Sequence, residues 1–112
     1  MPRDYKVFLE DILKSANKIL TYAEKSTFEE FVAGDLTHDG IIYNLMIIGE
    51  AAKNVPPEMR EEYSTVEWNR VIQFRNIAAH EYYQLTDERI WDFIQNKLPE
   101  IKRQVQHMYD EE

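Results

Sequence analysis

The chain has 112 residues, 44% apolar and 30% charged, with 21 acidic residues against 13 basic ones and a net charge of −8. This is the composition of one soluble globular domain spanning residues 1–112, and its acidic balance argues against broad, charge-driven binding to nucleic acid. The lack of cysteine excludes disulfides and thiolate metal sites. The charged N-terminal stretch MPRDYKVFLEDILK has no signal-peptide core, and the longest apolar run, residues 45–48, is far short of a membrane span. The expectation is a cytoplasmic protein without membrane contact.

Helical spacing dominates the chain. A first helix is predicted from near Asp4, because Phe8, Ile12, Ala16, Ile19 and Ala23 recur at steps of three and four. Ser26 and Glu29 form an S-x-x-E pattern that predicts the start of a short helix, with Gly34 as its stop. LTHDG reads as a break. A third helix is then expected from Asp39 or Gly40 to Asn54, ended by Pro56 and Pro57. Its stretch IIYNLMIIG is apolar nearly all round and needs cover on more than one side. A second copy of the chain would supply that cover, as would a central place in the bundle.

A second S-x-x-E pattern, Ser64 to Glu67, predicts a helix running to Tyr82 or Tyr83. Thr86, with Asp87 and Glu88, reads as the cap of a last helix. Ile90, Ile94, Leu98, Ile101, Val105 and Met108 keep helical spacing across Pro99, which should kink or split that helix, and the acidic tail YDEE is expected to fray. The predicted fold class is all-α: a bundle of four main helices plus a short one.

Within the motif helix, Trp68, Ile72, Arg75, Ala79 and Tyr82 fall in line. Arg75 therefore shares an apolar stripe, where a charge is costly unless an acid or a bound anion such as phosphate pairs with it. Asn76, His80 and Tyr83 form the neighbouring row. Arg75 and His80 are five residues apart, about 140° on a regular helix. Either the helix is distorted near Ala79, or a second subunit completes the pair. Arginine plus histidine suffices for metal-free cleavage of RNA. Histidine exchanges the proton, arginine stabilises the phosphate charge, and the 2′-hydroxyl attacks. Asn76 could orient the phosphate or fix the tautomer of His80. The same spacing also fits a structural histidine and a salt-bridged arginine. HDG at 38–40 reads as a helix-start loop in preference to a metal dipeptide, since no second ligand cluster accompanies it. Glu50 and the acids of 58–62 read as a solvated face, with Glu50 placed to pair with an arginine.

RNIAAHEYY, residues 75–83, resembles the R-x4-6-H motif of the HEPN superfamily, in the R-x4-H-x-Y form of the HepT toxins. IIGEAAKNVPPEMREEY (47–63), VEWNRVIQFRN (66–76) and IWDFIQNKLPEIKRQV (90–105) are similar to the segments flanking that motif, so the resemblance covers about the whole chain. It implies a HEPN-type homodimer and a metal-independent endoribonuclease toxin cutting transfer or messenger RNA without a cofactor. Carried over by position, it assigns catalysis to Arg75 and His80, with Asn76 as polar neighbour. It makes Tyr82 the tyrosine that receives AMP from an MntA-like nucleotidyltransferase antitoxin. The alternative is a non-catalytic HEPN dimer that binds a nucleotide or a protein.

Overall fold

A computed structural model of the chain describes residues 5–80 and 85–112. Among them lie seven helices and no strand: α1 (Lys6–Glu24), α2 (Phe28–Ala33), α3 (Asp35–Asn54), α4 (Pro57–Glu62), α5 (Trp68–His80), α6 (Asp87–Asn96) and α7 (Leu98–Glu111). The fold is thus all-α. The four main helices are α1, α3, α5 and the consecutive pair α6 and α7. The predicted start near Asp4 lies outside the described residues.

The core forms where the apolar stripes of these helices meet. Leu9, Ile12, Ala16 and Ile19 of α1 face Ile41, Leu45, Ile48 and Ala52 of α3, and Ile94, Leu98, Ile101, Val105 and Met108 close the bundle from α6 and α7. Each of these residues is buried, and a buried aliphatic side chain contributes roughly 1.5–3 kcal/mol.

Several boundaries differ from the sequence reading, each for a local reason. The cap of α2 is Thr27, one residue later than Ser26. Its hydroxyl accepts from the Glu30 amide at 3.2 Å while Glu30 Oε1 accepts from the Thr27 amide at 2.9 Å. There is no break at LTHDG. Gly34 ends α2 and caps α3 in one extended residue, and α3 starts at Asp35, whose charge complements the helix N-terminus. Pro56 and Pro57 end α3 but also begin α4, because a proline at the first helical position loses no hydrogen bond. Arg60 of that short helix returns its Nε–H to the Val55 carbonyl at 3.0 Å.

Ser64 does not open α5. The chain turns through residues 63–66, and the first α-helical hydrogen bond is donated by the Val71 amide to the Glu67 carbonyl. Trp68 fixes this start. It is buried, and its indole N–H donates to the Tyr63 carbonyl at 3.0 Å. The far end expected at Tyr82 or Tyr83 lies outside the described residues.

Thr86 caps α6 as expected, its hydroxyl accepting from the Arg89 amide at 3.2 Å. The helix splits at Lys97, and Pro99 sits in the first turn of α7. The acidic tail is helical to Glu111 instead of frayed. The Tyr63 hydroxyl lies 3.0 Å from a carboxylate oxygen of Glu111 and 2.7 Å from one of Glu112, tying the tail to the turn before α5.

Candidate active site

The site is built where α3 and α5 cross. Gly49 is buried in α3, and a Cβ added there would lie 2.2 Å from the Arg75 Cβ and 2.7 Å from the Val71 carbonyl oxygen. Only glycine allows this approach, so the GEAA segment acts as a spacer that brings α5 onto α3. The next residue, Glu50, then reaches Arg75. Its Oε1 lies 3.2 Å from the Arg75 Nε. The Nη1 of Arg75 donates to the Asn76 Oδ1 at 3.1 Å. A guanidinium carries five N–H donors, and these two contacts aim its fork. Arg75 is one-quarter exposed and Glu50 half exposed, so solvent screens the pair to roughly 0.2–1 kcal/mol. The pair serves to orient the arginine more than to stabilise the fold.

The α5 helix is continuous from Trp68 to His80. The distortion near Ala79 allowed by the sequence is therefore not what the structure has. Arg75 and His80 keep the regular offset of about 140° and about 7.5 Å along the axis. Between them runs a strip of Ile72, Asn76 and Ala79, within about 60° of one another around the helix, with Ile72 half-buried against the core. Asn76, Ala79 and His80 are exposed. Arg75 flanks this strip on the α3 side and His80 on the other. Asn76 touches Arg75; no hydrogen bond between Asn76 and His80 is present among the described residues. Tyr82 lies outside the described residues, as do Glu81 and Tyr83.

The outer face of α3 that leads to Arg75 carries two exposed large apolar side chains. Leu36 is 87% exposed and Tyr43 65%. These two and Glu50 repeat every seven residues, which places them on one stripe leading to the ion pair. The apolar helix anticipated from IIYNLMIIG is thus covered by α1 and α5 on its inner sides through Ile41, Leu45, Ile48 and Gly49, and uncovered on its outer side.

His38 has a different role from the one its HDG context raised. It lies inside α3, not in a loop. Its Nε2 is 2.6 Å from Asp87 Oδ1 at the start of α6, and its Nδ1 is 3.4 Å from Asp39 Oδ1. The ring packs on Phe31, 4.8 Å between centroids, and Phe31 stacks in turn on Trp91. Burial alone would lower the His38 pKa, but the hydrogen bonds to Asp87 and Asp39 outweigh it and raise the value. Among the described residues, no three His, Cys, Asp or Glu side chains converge as a metal site, and no helix is long and apolar enough to cross a membrane. Sequence reading did not find the His38–Asp87 pair, because 49 positions separate its members.

Known proteins of similar sequence bear on this arrangement. The family model described as "Ribonuclease HepT-like" matches residues 12–108. A protein of Caldanaerobacter subterraneus named "Putative RNase" is 34% identical over 111 residues, covering 99% of this chain and 96% of that protein. One of the same name from Methanocaldococcus jannaschii is 33% identical over 104 residues, covering 93% and 95%. A protein of Thermococcus cleftensis named "Probable ribonuclease HepT" is 28% identical over 102 residues, covering 91% and 93%. No solved structure matches significantly. The chain belongs to the HepT-like ribonuclease family.

Proposed function

We propose that this protein is a metal-independent endoribonuclease whose active site is completed when two copies pair. The observation that carries the reading is the geometry of α5. Arg75 and His80 flank one strip of a continuous helix and, about 140° apart around it, do not face each other squarely within one chain. A two-fold axis crossing that strip brings the Arg75 of each copy toward the His80 of the other, and it buries the open apolar stripe of α3 at the same time. Family membership and the names of the relatives support ribonuclease activity.

In this reading the fork of Arg75, aimed by Glu50 and Asn76, holds the scissile phosphate and stabilises the charge that develops on it. His80 takes the proton from the 2′-hydroxyl or delivers one to the departing 5′-oxygen. The 2′-oxygen attacks the phosphorus, the bond to the 5′-oxygen breaks, and the products are a 2′,3′-cyclic phosphate and a 5′-hydroxyl. The protein acts as the toxin of a toxin–antitoxin pair, and a nucleotidyltransferase antitoxin silences it by transferring AMP from ATP to the Tyr82 hydroxyl, with release of pyrophosphate.

Incubation of purified protein with RNA in EDTA tests the reading. Cleavage with a 2′,3′-cyclic end is expected, and His80→Ala, at an exposed position, should lose it with no change in melting temperature. Loss of cleavage on adding EDTA, or full activity in His80→Ala, would contradict the mechanism.

A further inference from the structure

On the side of α5 away from α3, a groove of about 250 Å³ separates α5 from α6. Its apolar lining includes Phe74 and Phe93, whose rings pack with centroids 5.1 Å apart. Its charged lining is Arg70, Arg89 and Lys97 against one acid, Asp92. With Glu67 counted beside Asp92, the groove keeps an excess of one positive charge in a chain of net charge −8. Two of those cations converge on one anion: Glu67 Oε1 lies 2.8 Å from Arg70 Nε, and Glu67 Oε2 lies 3.6 Å from Lys97 Nζ. The carboxylate of Glu67 therefore marks a point where two cations already hold an anionic oxygen pair.

The groove also has a direction. Gln73 and Ile77 line it from α5, and His80 lies on the same side of that helix, all three within about 60° around the axis. Arg70 stands one turn before Gln73. From Arg70 to His80 the helix advances about 15 Å, the reach of a few nucleotides.

We infer that this groove is a subsite for single-stranded RNA, gripping the backbone a few nucleotides from the scissile bond through Arg70 and Lys97 and leading the strand to His80. The inference rests on the ribonuclease reading and extends it to where the rest of the substrate lies. Phosphate charge is gathered by Arg70 and Lys97 in exchange for their contact with Glu67, and the apolar wall of Phe74 shields the ribose or base beside it. The arrangement reconciles an acidic protein with an RNA substrate, because three of its cations gather in one groove on the side of α5 that carries His80.

Binding of a fluorescein-labelled polyuridine oligonucleotide to the full chain carrying His80→Ala, followed by anisotropy over a range of salt, tests this. Adding Arg70→Gln and Lys97→Gln should weaken binding roughly tenfold at low salt. It should also reduce the slope of log affinity against log salt by about 1.4, the value for two lost single-strand phosphate contacts. Lys14→Gln with Lys18→Gln removes the same charge from the exposed side of α1 and should leave the slope nearly unchanged. Glu67→Gln releases both cations and should tighten binding, an effect that misfolding cannot mimic. If the Arg70/Lys97 variant binds like the parent, or no more weakly than the Lys14/Lys18 variant, the subsite is refuted while the ribonuclease reading stands. That result would leave the groove as a surface for a protein partner. If the parent neither binds nor, with His80 restored, cuts RNA, both fall.

Discussion

Replacing Gly49 by alanine separates two opposite effects. Gly49 lies inside α3, and in an exposed helix interior a glycine-to-alanine change stabilises by roughly 0.8–1 kcal/mol. Here the new methyl would stand 2.2 Å from the Arg75 Cβ and 2.7 Å from the Val71 carbonyl oxygen. Carbon pairs rest at about 3.5–4.0 Å, so α3 and α5 would have to part by roughly 1.3 Å or more. Neither obstacle is the far end of a flexible side chain, so the strain cannot relax by a rotamer change. Overpacking of this kind costs about 1–3 kcal/mol, and the severity of the overlap puts Gly49→Ala at the upper end, a net loss of about 2 kcal/mol. For a domain of this size that is a fall in melting temperature of roughly 8 °C or more. Gly40→Ala is the internal control. It lies in the same helix with nothing within 4 Å of its Cβ position, and it should raise the melting temperature by a few degrees. Melts followed by circular dichroism at 222 nm read both. If Gly49→Ala is stabilised like Gly40→Ala, the close crossing of α3 and α5 that positions Arg75 is wrong.

Two further outcomes are expected. The folded pKa of His38 lies above its unfolded value of about 6.5, so its contact with Asp87 contributes fully below that value and is lost as pH rises through the folded pKa. Denaturant unfolding should show Asp87→Asn costing about 1 kcal/mol more at pH 5.5 than at pH 8.5; an equal cost at both pH values contradicts the assignment. Tyr82→Phe should stay toxic yet escape a nucleotidyltransferase antitoxin, whereas Tyr83→Phe is still neutralised. Added AMP mapping by mass spectrometry to any tyrosine but Tyr82 would overturn the control mechanism.

The helical class and the main elements were legible because the stripes of α1, α6 and α7 repeat at three and four, a periodicity that buried packing imposes. Local chemistry was read well where one residue decides, as at Thr86, and misread where two candidates compete. Ser26 and Thr27 can both cap α2, and extended φ/ψ at Thr27 selects the second. Ser64 lost to Glu67 because buried Trp68 pulls the helix start to itself. At the site, the resemblance proposes Arg75 and His80, whereas spacing alone equally fits a structural histidine and a salt-bridged arginine. What the sequence withheld was contact across helices. The crossing at Gly49, the His38–Asp87 pair and the groove of Arg70, Arg89 and Lys97 each join positions far apart in the chain, and no periodicity announces them.

The composite site is tested most directly by mixing two variants that are each inactive, Arg75→Ala and His80→Ala. A mixed dimer holds one site with Arg75 from one copy and His80 from the other, and one site with neither. Statistical exchange makes about half of the dimers mixed, so RNA cleavage should return to about a quarter of the unsubstituted protein's rate. If the mixture stays inactive after subunit exchange has been demonstrated, Arg75 and His80 do not act across the two chains and the account of the site is contradicted.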